Sequence, residues 1–255
     1  MIKQMLNARF VFSVLALAAV GQLHAATFNF STVSGAEDPA KNPVAASAIF
    51  VVSGNTITIT LENNEANPVD DGQALDAMTF QLANQTIPNG ATISMNMTES
   101  EFIDIGSSGT YTQVTSNLPS WSLSDKVSGS TIDFDFCNYK ETGMNCTSAG
   151  SEAPEGGIIG AAGAGNKYTA ANSSIKNGPA DPYIYNEATI TLTLSSGTFT
   201  TNGANYSDVL FGFGSNVVDD IPVPAAPEPS TFWMMGLLGV GLAAFQYRHK
   251  LGLRR

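Results

Sequence analysis

Between residues 27 and 225 this chain has no histidine and no arginine: His24, His249, Arg9, Arg248, Arg254 and Arg255 all lie outside that stretch. Catalysis that needs an imidazole base, or an anion clamp built from guanidinium, is therefore excluded there. Cysteine is almost as scarce. Cys137 and Cys146 are the only two, which excludes zinc held by histidines or by a cysteine cluster. Cationic charge is short as well, with five lysines against 21 acidic residues in the same stretch, a net of −16. Such a surface repels nucleic acid and anionic lipid heads, and acidic polysaccharides too unless divalent cations intervene. No segment of this region carries a sustained helical period, and no internal repeat of roughly 20 to 50 residues is visible. What remains open to chemistry is a pair of carboxylates or a Ser-Lys pair, and the expectation is a protein that is not an enzyme.

What is present is alternation. Residues 48–52, 56–61, 78–82, 92–97, 131–136, 188–194 and 209–213 each place apolar and polar side chains on opposite faces, the pattern of half-buried strands. Ser53-Gly54-Asn55 separates the first two runs, and a glycine first in the turn suits a type II′ hairpin. With 22 serines and 22 threonines in the region, and turn-forming residues between the runs, the fold class expected is all-β, an antiparallel β-sandwich. About 200 residues suit a single such domain, spanning 27–225.

Two loops stand out from this pattern. Residues 149–165 combine Pro154 with many glycines and alanines, which predicts a mobile connection; no Gly-Lys-Ser/Thr ending marks it as a phosphate loop. Residues 63–76 gather Glu65, Asp70, Asp71 and Asp76 around Pro68 and Gly72. Asp70, Asp71 and Asp76 form a candidate calcium site, although the spacing is not that of an EF-hand and a solvated acidic loop without metal is the simpler expectation.

The two ends are of a different kind. Lys3 and Arg9 precede the apolar run 10–20, and Gly21-Gln-Leu-His follow before a small-residue cleavage site at Ala25 and Ala26, so residues 1–26 read as a secretory signal peptide. At the other end Pro227-Glu228-Pro229-Ser230 precedes the apolar run 232–247, and Arg248, His249, Lys250, Arg254 and Arg255 close the chain. The sixteen residues of this run reach roughly 24 Å as a helix, a little under a ~30 Å hydrocarbon core. Trp233 and Tyr247 suit the two interfaces, and the basic end predicts a cytoplasmic C-terminus. A single C-terminal transmembrane helix is expected, with residues 27–225 outside the cell. In that compartment Cys137 and Cys146 are expected to form a disulfide. By strand parity Cys137 lies with Asp133 and Asp135 on the solvent-facing side of its strand.

A rigid Pro-Glu-Pro, an apolar run and a basic tail, in that order, resemble the C-terminal sorting signal of PEP-CTERM proteins. That resemblance makes residues 226–255 the sorting segment and Pro227, Glu228, Pro229 and Ser230 its motif, and implies exosortase as the processing partner. It implies an inner-membrane-anchored precursor that ends at the cell surface or in the extracellular matrix. Residues 168–175 and 211–215 are similar to segments of one β-rich subgroup of that family. By association the resemblance implies a structural role in an exopolysaccharide or biofilm matrix. A calcium-assisted glycan-binding module is the alternative, and a carboxylate-based glycan hydrolase the third.

Overall fold

The computed structural model describes residues 25–115, 121–138, 155–178, 180–214 and 221–222. Every one of the seven alternating runs is a strand, because the period of two lets each run bury one face and expose the other. In chain order the strands are β1 (Ala26–Ser31), β2 (Ala46–Ser53), β3 (Thr56–Asn63), β4 (Leu75–Leu82), β5 (Ile93–Glu99), β6 (Phe102–Ile105) and β7 (Tyr111–Val114). They continue as β8 (Ser122–Ser128), β9 (Thr131–Cys137), β10 (Ile158–Ile159), β11 (Tyr183–Tyr185), β12 (Glu187–Leu194), β13 (Tyr206–Phe213) and β14 (Ile221–Pro222). Among the described residues there is no α-helix, and none is long and apolar enough to cross a membrane. Residues 1–24 of the expected signal peptide and the expected C-terminal helix lie outside the described residues, while Ala26, the last residue of that expected peptide, begins β1 opposite Val52.

The first sheet has the order β1-β2-β3-β12-β5, antiparallel throughout. The hairpin turn between β2 and β3 is the two-residue Gly54-Asn55, with Gly54 at φ 59° and Asn55 outside the positive region, as type II′ requires. The second sheet runs β14-β13-β4-β10-β11-β6-β7, and β9 joins it by pairing with both β4 and β8. Among the described residues it contains the one departure from antiparallel pairing, the short parallel contact of β10 with β11.

The two sheets share one core. Phe50 of β2 meets Phe80 of β4 edge-on with ring centroids 5.0 Å apart, and Phe80 in turn stacks on Phe134 of β9 at 4.6 Å. Tyr206 and Phe30 close on Phe50 from either side. Aromatic pairs at these separations add to the stabilisation from buried area itself. A second, smaller cluster gathers Ile103, Ile105, Ile159, Tyr168, Ile175 and Tyr183 behind the second sheet.

The pattern of burial corrects two expectations. Of residues 149–165, those described (155–165) are not a free connection: Ile158 and Ile159 form β10 with no exposed surface, and Trp121 Nε1 donates to Gly156 O at 3.2 Å. Glycine and alanine here signal close packing of backbone on backbone, which composition alone cannot distinguish from looseness. Cys137 is also not solvent-facing. It lies on the face opposite Phe134 and Phe136, as parity requires, but it is buried against Ala77.

Candidate functional site

The segment between β3 and β4 owes its shape to two buried amides. Asn63, the last residue of β3, donates from Nδ2 to the carbonyls of Gln73 and Ile158, each at 2.8 Å, and accepts from Glu65 N–H at 3.0 Å. Gln73 accepts from Val69 N–H and Asp70 N–H through Oε1, and its Nε2 donates to Pro43 O at 2.6 Å. Together they supply partners to backbone groups that no strand ladder reaches. At Gly160 a Cβ would stand 1.7 Å from Glu65 O, so only glycine lets β10's flank lie against this segment. The acidic segment is thus pinned by hydrogen bonds, while Asp70 and Asp71 on it stay half-buried.

On that frame the acidic residues line a cleft of about 310 Å³. Asp38 comes from the β1–β2 connection, and Asp70 and Asp71 from the short 3-10 turn Asp71–Gln73 and its cap. Asn172 and Ser174 come from the arm before β11, and Phe213 and Gly214 from the end of β13. The Asn42 amide clamps two of the acids, donating to Asp38 at 3.0 Å and to Asp70 at 2.7 Å. Asp71 N–H donates to Ser174 Oγ at 3.0 Å, and Asn172 N–H to Val69 O at 2.7 Å, which fastens the arm to the turn. Gly214, at φ 71°, sits so close that its Cβ would be 3.0 Å from Gly72 Cα. Burial, then the neighbouring Asp38 charge, pushes the Asp70 carboxyl above its ordinary range, while the Asn42 amide and Gly72 N–H oppose the rise.

Asp76 is placed differently from its two sequence neighbours in the candidate set. It belongs to β4, where Phe213 pairs with Leu75 and Gly212 with Ala77. One step on β13 therefore spans two on β4, and Asp76 is the extra residue of a β-bulge, a device that re-aims a side chain. Its side chain is 1% exposed. The Asn138 amide and Gly214 N–H face it closely enough to favour its charge, and Asp71 lies near enough to disfavour it, but burial dominates and holds the carboxyl well above the usual range. Neither carboxylate oxygen meets hydrogen-bond geometry with any partner, and the same is true of the buried Asn138 Nδ2 and Tyr183 Oη.

Of the residues singled out in the sequence, then, Asp70 and Asp71 share the cleft, and Asp76 lies beneath its floor. Among the described residues no three histidine, cysteine, aspartate or glutamate side chains are grouped as a metal cage. Asp38, Asn42, Asn172 and Ser174 escaped sequence reasoning because they sit more than 25 residues away along the chain from Asp70 or across it; only long-range pairing brings them in. The nearest signal was the pair of segments 168–175 and 211–215, both of which contribute cleft residues. Trp121 does not line the cleft, being buried in the main core. Cys137 is not a free thiol; Cys146 and the motif residues Pro227, Glu228, Pro229 and Ser230 lie outside the described residues.

Comparison with curated proteins and with solved structures gave no match. A family model does match the end of the chain. Residues 225–250 carry a PEP-CTERM protein-sorting motif, over the same stretch in which Pro-Glu-Pro, the apolar run and the basic residues follow one another.

Proposed function

We propose that this protein is exported, held in the inner membrane by its C-terminal helix, and released or transferred to the surface when exosortase acts at Pro227-Glu228-Pro229. There it serves, without catalysing a reaction, as a structural component of an exopolysaccharide or biofilm matrix. The observation that carries the sorting half of this reading is the motif at residues 225–250. The structural half is supported by the character of the described fold. Its first sheet turns a face of paired threonines outward, Thr60 beside Thr189, Thr58 beside Thr191 and Thr56 beside Thr193, a hydroxyl surface suited to a hydrated polymer. Hydrolysis by two carboxylates is less well supported, because the close pair, Asp38 and Asp70, is tied through one shared amide.

Replacing Glu228 with Ala tests the sorting step. Two prolines hold that acid on extended backbone that cannot enter a helix, so the variant should be exported normally and accumulate as full-length precursor in the inner membrane. Equal amounts of variant and parent protein at the surface would overturn the assignment.

A further inference from the structure

A group of buried polar atoms lies beneath the cleft floor. Asp76 is 1% exposed, and its two carboxylate oxygens, Tyr183 Oη and Asn138 Nδ2 are buried without hydrogen-bond partners. Buried polar atoms are nearly always satisfied, and each exception calls for an explanation such as an ion or a water. Asp71 adds a second carboxylate at the boundary between this group and the cleft, close enough to act electrostatically on Asp70, Asp76 and Tyr183 alike. Among the described residues no cationic side chain is paired with them; the ion pair that joins Lys41 to Glu37 at 3.6 Å lies on the surface.

The backbone is arranged to keep Asp76 there. It is the extra residue of the β4 bulge, and at Gly157 a Cβ would stand 2.1 Å from its Oδ1. A fold that only needed to fill this space would place an apolar residue in it. The atoms gathered are oxygens, with an amide whose oxygen and nitrogen can exchange places by a half-turn, and no sulfur or imidazole. Hard oxygen donors of this kind select calcium over the softer transition metals.

We propose that Asp76 and Asp71 hold one divalent cation of the calcium class at the inner end of the acidic cleft, with Tyr183 and Asn138 closing the site. The cation would enter from the cleft, past Asp71 and Gly214. This goes beyond the matrix reading and does not depend on it, since a cation here would brace the β3–β4 segment whatever the protein binds.

The test uses the exported protein, stripped with chelator and titrated with calcium chloride. One calcium per chain should be retained in native mass spectrometry, and the unfolding midpoint should rise by roughly 5–10 °C at a hundredfold excess over the Kd. Asp76→Asn and Asp71→Asn should each abolish the rise, whereas Glu187→Gln, on the far sheet, should keep it. Because Asp76→Asn could fail to fold, the parent protein's stoichiometry and the Asp71→Asn variant stand independently of it. A folded parent protein that retains no calcium and melts identically in millimolar calcium and in chelator would overturn the proposal. So would an Asp76→Asn protein that is more stable than the parent in both conditions, which would mean that the site holds a proton.

Discussion

The two sheets are built by different rules. In the first, β2, β3 and β12 alternate almost without fault: Ala48, Phe50, Val52, Ile57, Ile59, Leu61, Ile190 and Leu192 are all buried while their neighbours face outward. In the second, the end around β4, β10 and β11 buries both faces of the strand, and Leu75, Asp76, Ala77 and Met78 are buried in succession. The first region is held by side chains repeating along a ladder; the second is held by single contacts, such as an amide, a glycine against a carbonyl or a bulge. Regular patterning makes a stable layer, and the irregular end is where a cleft and a buried acid can be positioned.

The sharpest way to break this contrast is at Gly160. A methyl group there meets Glu65 O at 1.7 Å, so Gly160→Ala should cost about 4 kcal/mol, measured by urea unfolding, or prevent folding. The exposed-face change Thr191→Ala in the first sheet should stay within about 0.5 kcal/mol. Next in size is Asn63→Ala, which removes the partner of two carbonyls and one N–H. Since each buried group left unsatisfied costs about 1–3 kcal/mol, a loss of about 3 kcal/mol is expected in the same assay.

Cys137, at the end of β9, lies at the edge of the irregular region. Replacing Cys137 and Cys146 together with Ser should lower stability by about 2 kcal/mol in the chain-entropy model and leave the fold intact, because the aromatic core lies elsewhere. Non-reducing peptide mapping should show the two joined; quantitative alkylation of both thiols in native exported protein would remove the bridge from the account.

The smallest effect is expected at Asp135 on β9. Burial first, then the Asp133 charge, raises its carboxyl above the ordinary range. An acid whose pKa is higher folded than unfolded binds its proton more tightly in the folded state. Its contribution is thus most favourable at low pH and is lost as pH rises from the unfolded to the folded value. Asp135→Asn should therefore raise stability at pH 7 by a few tenths of a kcal/mol, on the order expected for a half-exposed group. It should also flatten the pH dependence just above the ordinary carboxylate range. An unchanged pH profile in thermal melts would show that Asp135 titrates normally.

What could be read from the sequence follows the same division. All seven alternating runs are strands, and Gly54 turns its hairpin as expected, because period and turn chemistry are local properties. The short strands β6, β10 and β11 escaped notice, since two to four residues carry too little period to recognise. Asp70 and Asp71 were visible as a cluster, but their clamp, Asn42, lies 28 residues before Asp70. Asp76 looked like part of the same loop, and only the bulge shows that it is a buried strand residue. The sorting motif was legible, for its three parts are adjacent and each has its own signature in the sequence; the helix expected there lies outside the described residues.

The proposed sorting route rests on that tail, and intact mass measurement of the protein recovered from the cell surface tests it most directly. A product that ends close to Pro227-Glu228-Pro229, without the apolar run and the basic residues, is the expected result. A normally displayed protein that still carries residues 232–255 would contradict processing by exosortase and return the tail to a simple membrane anchor.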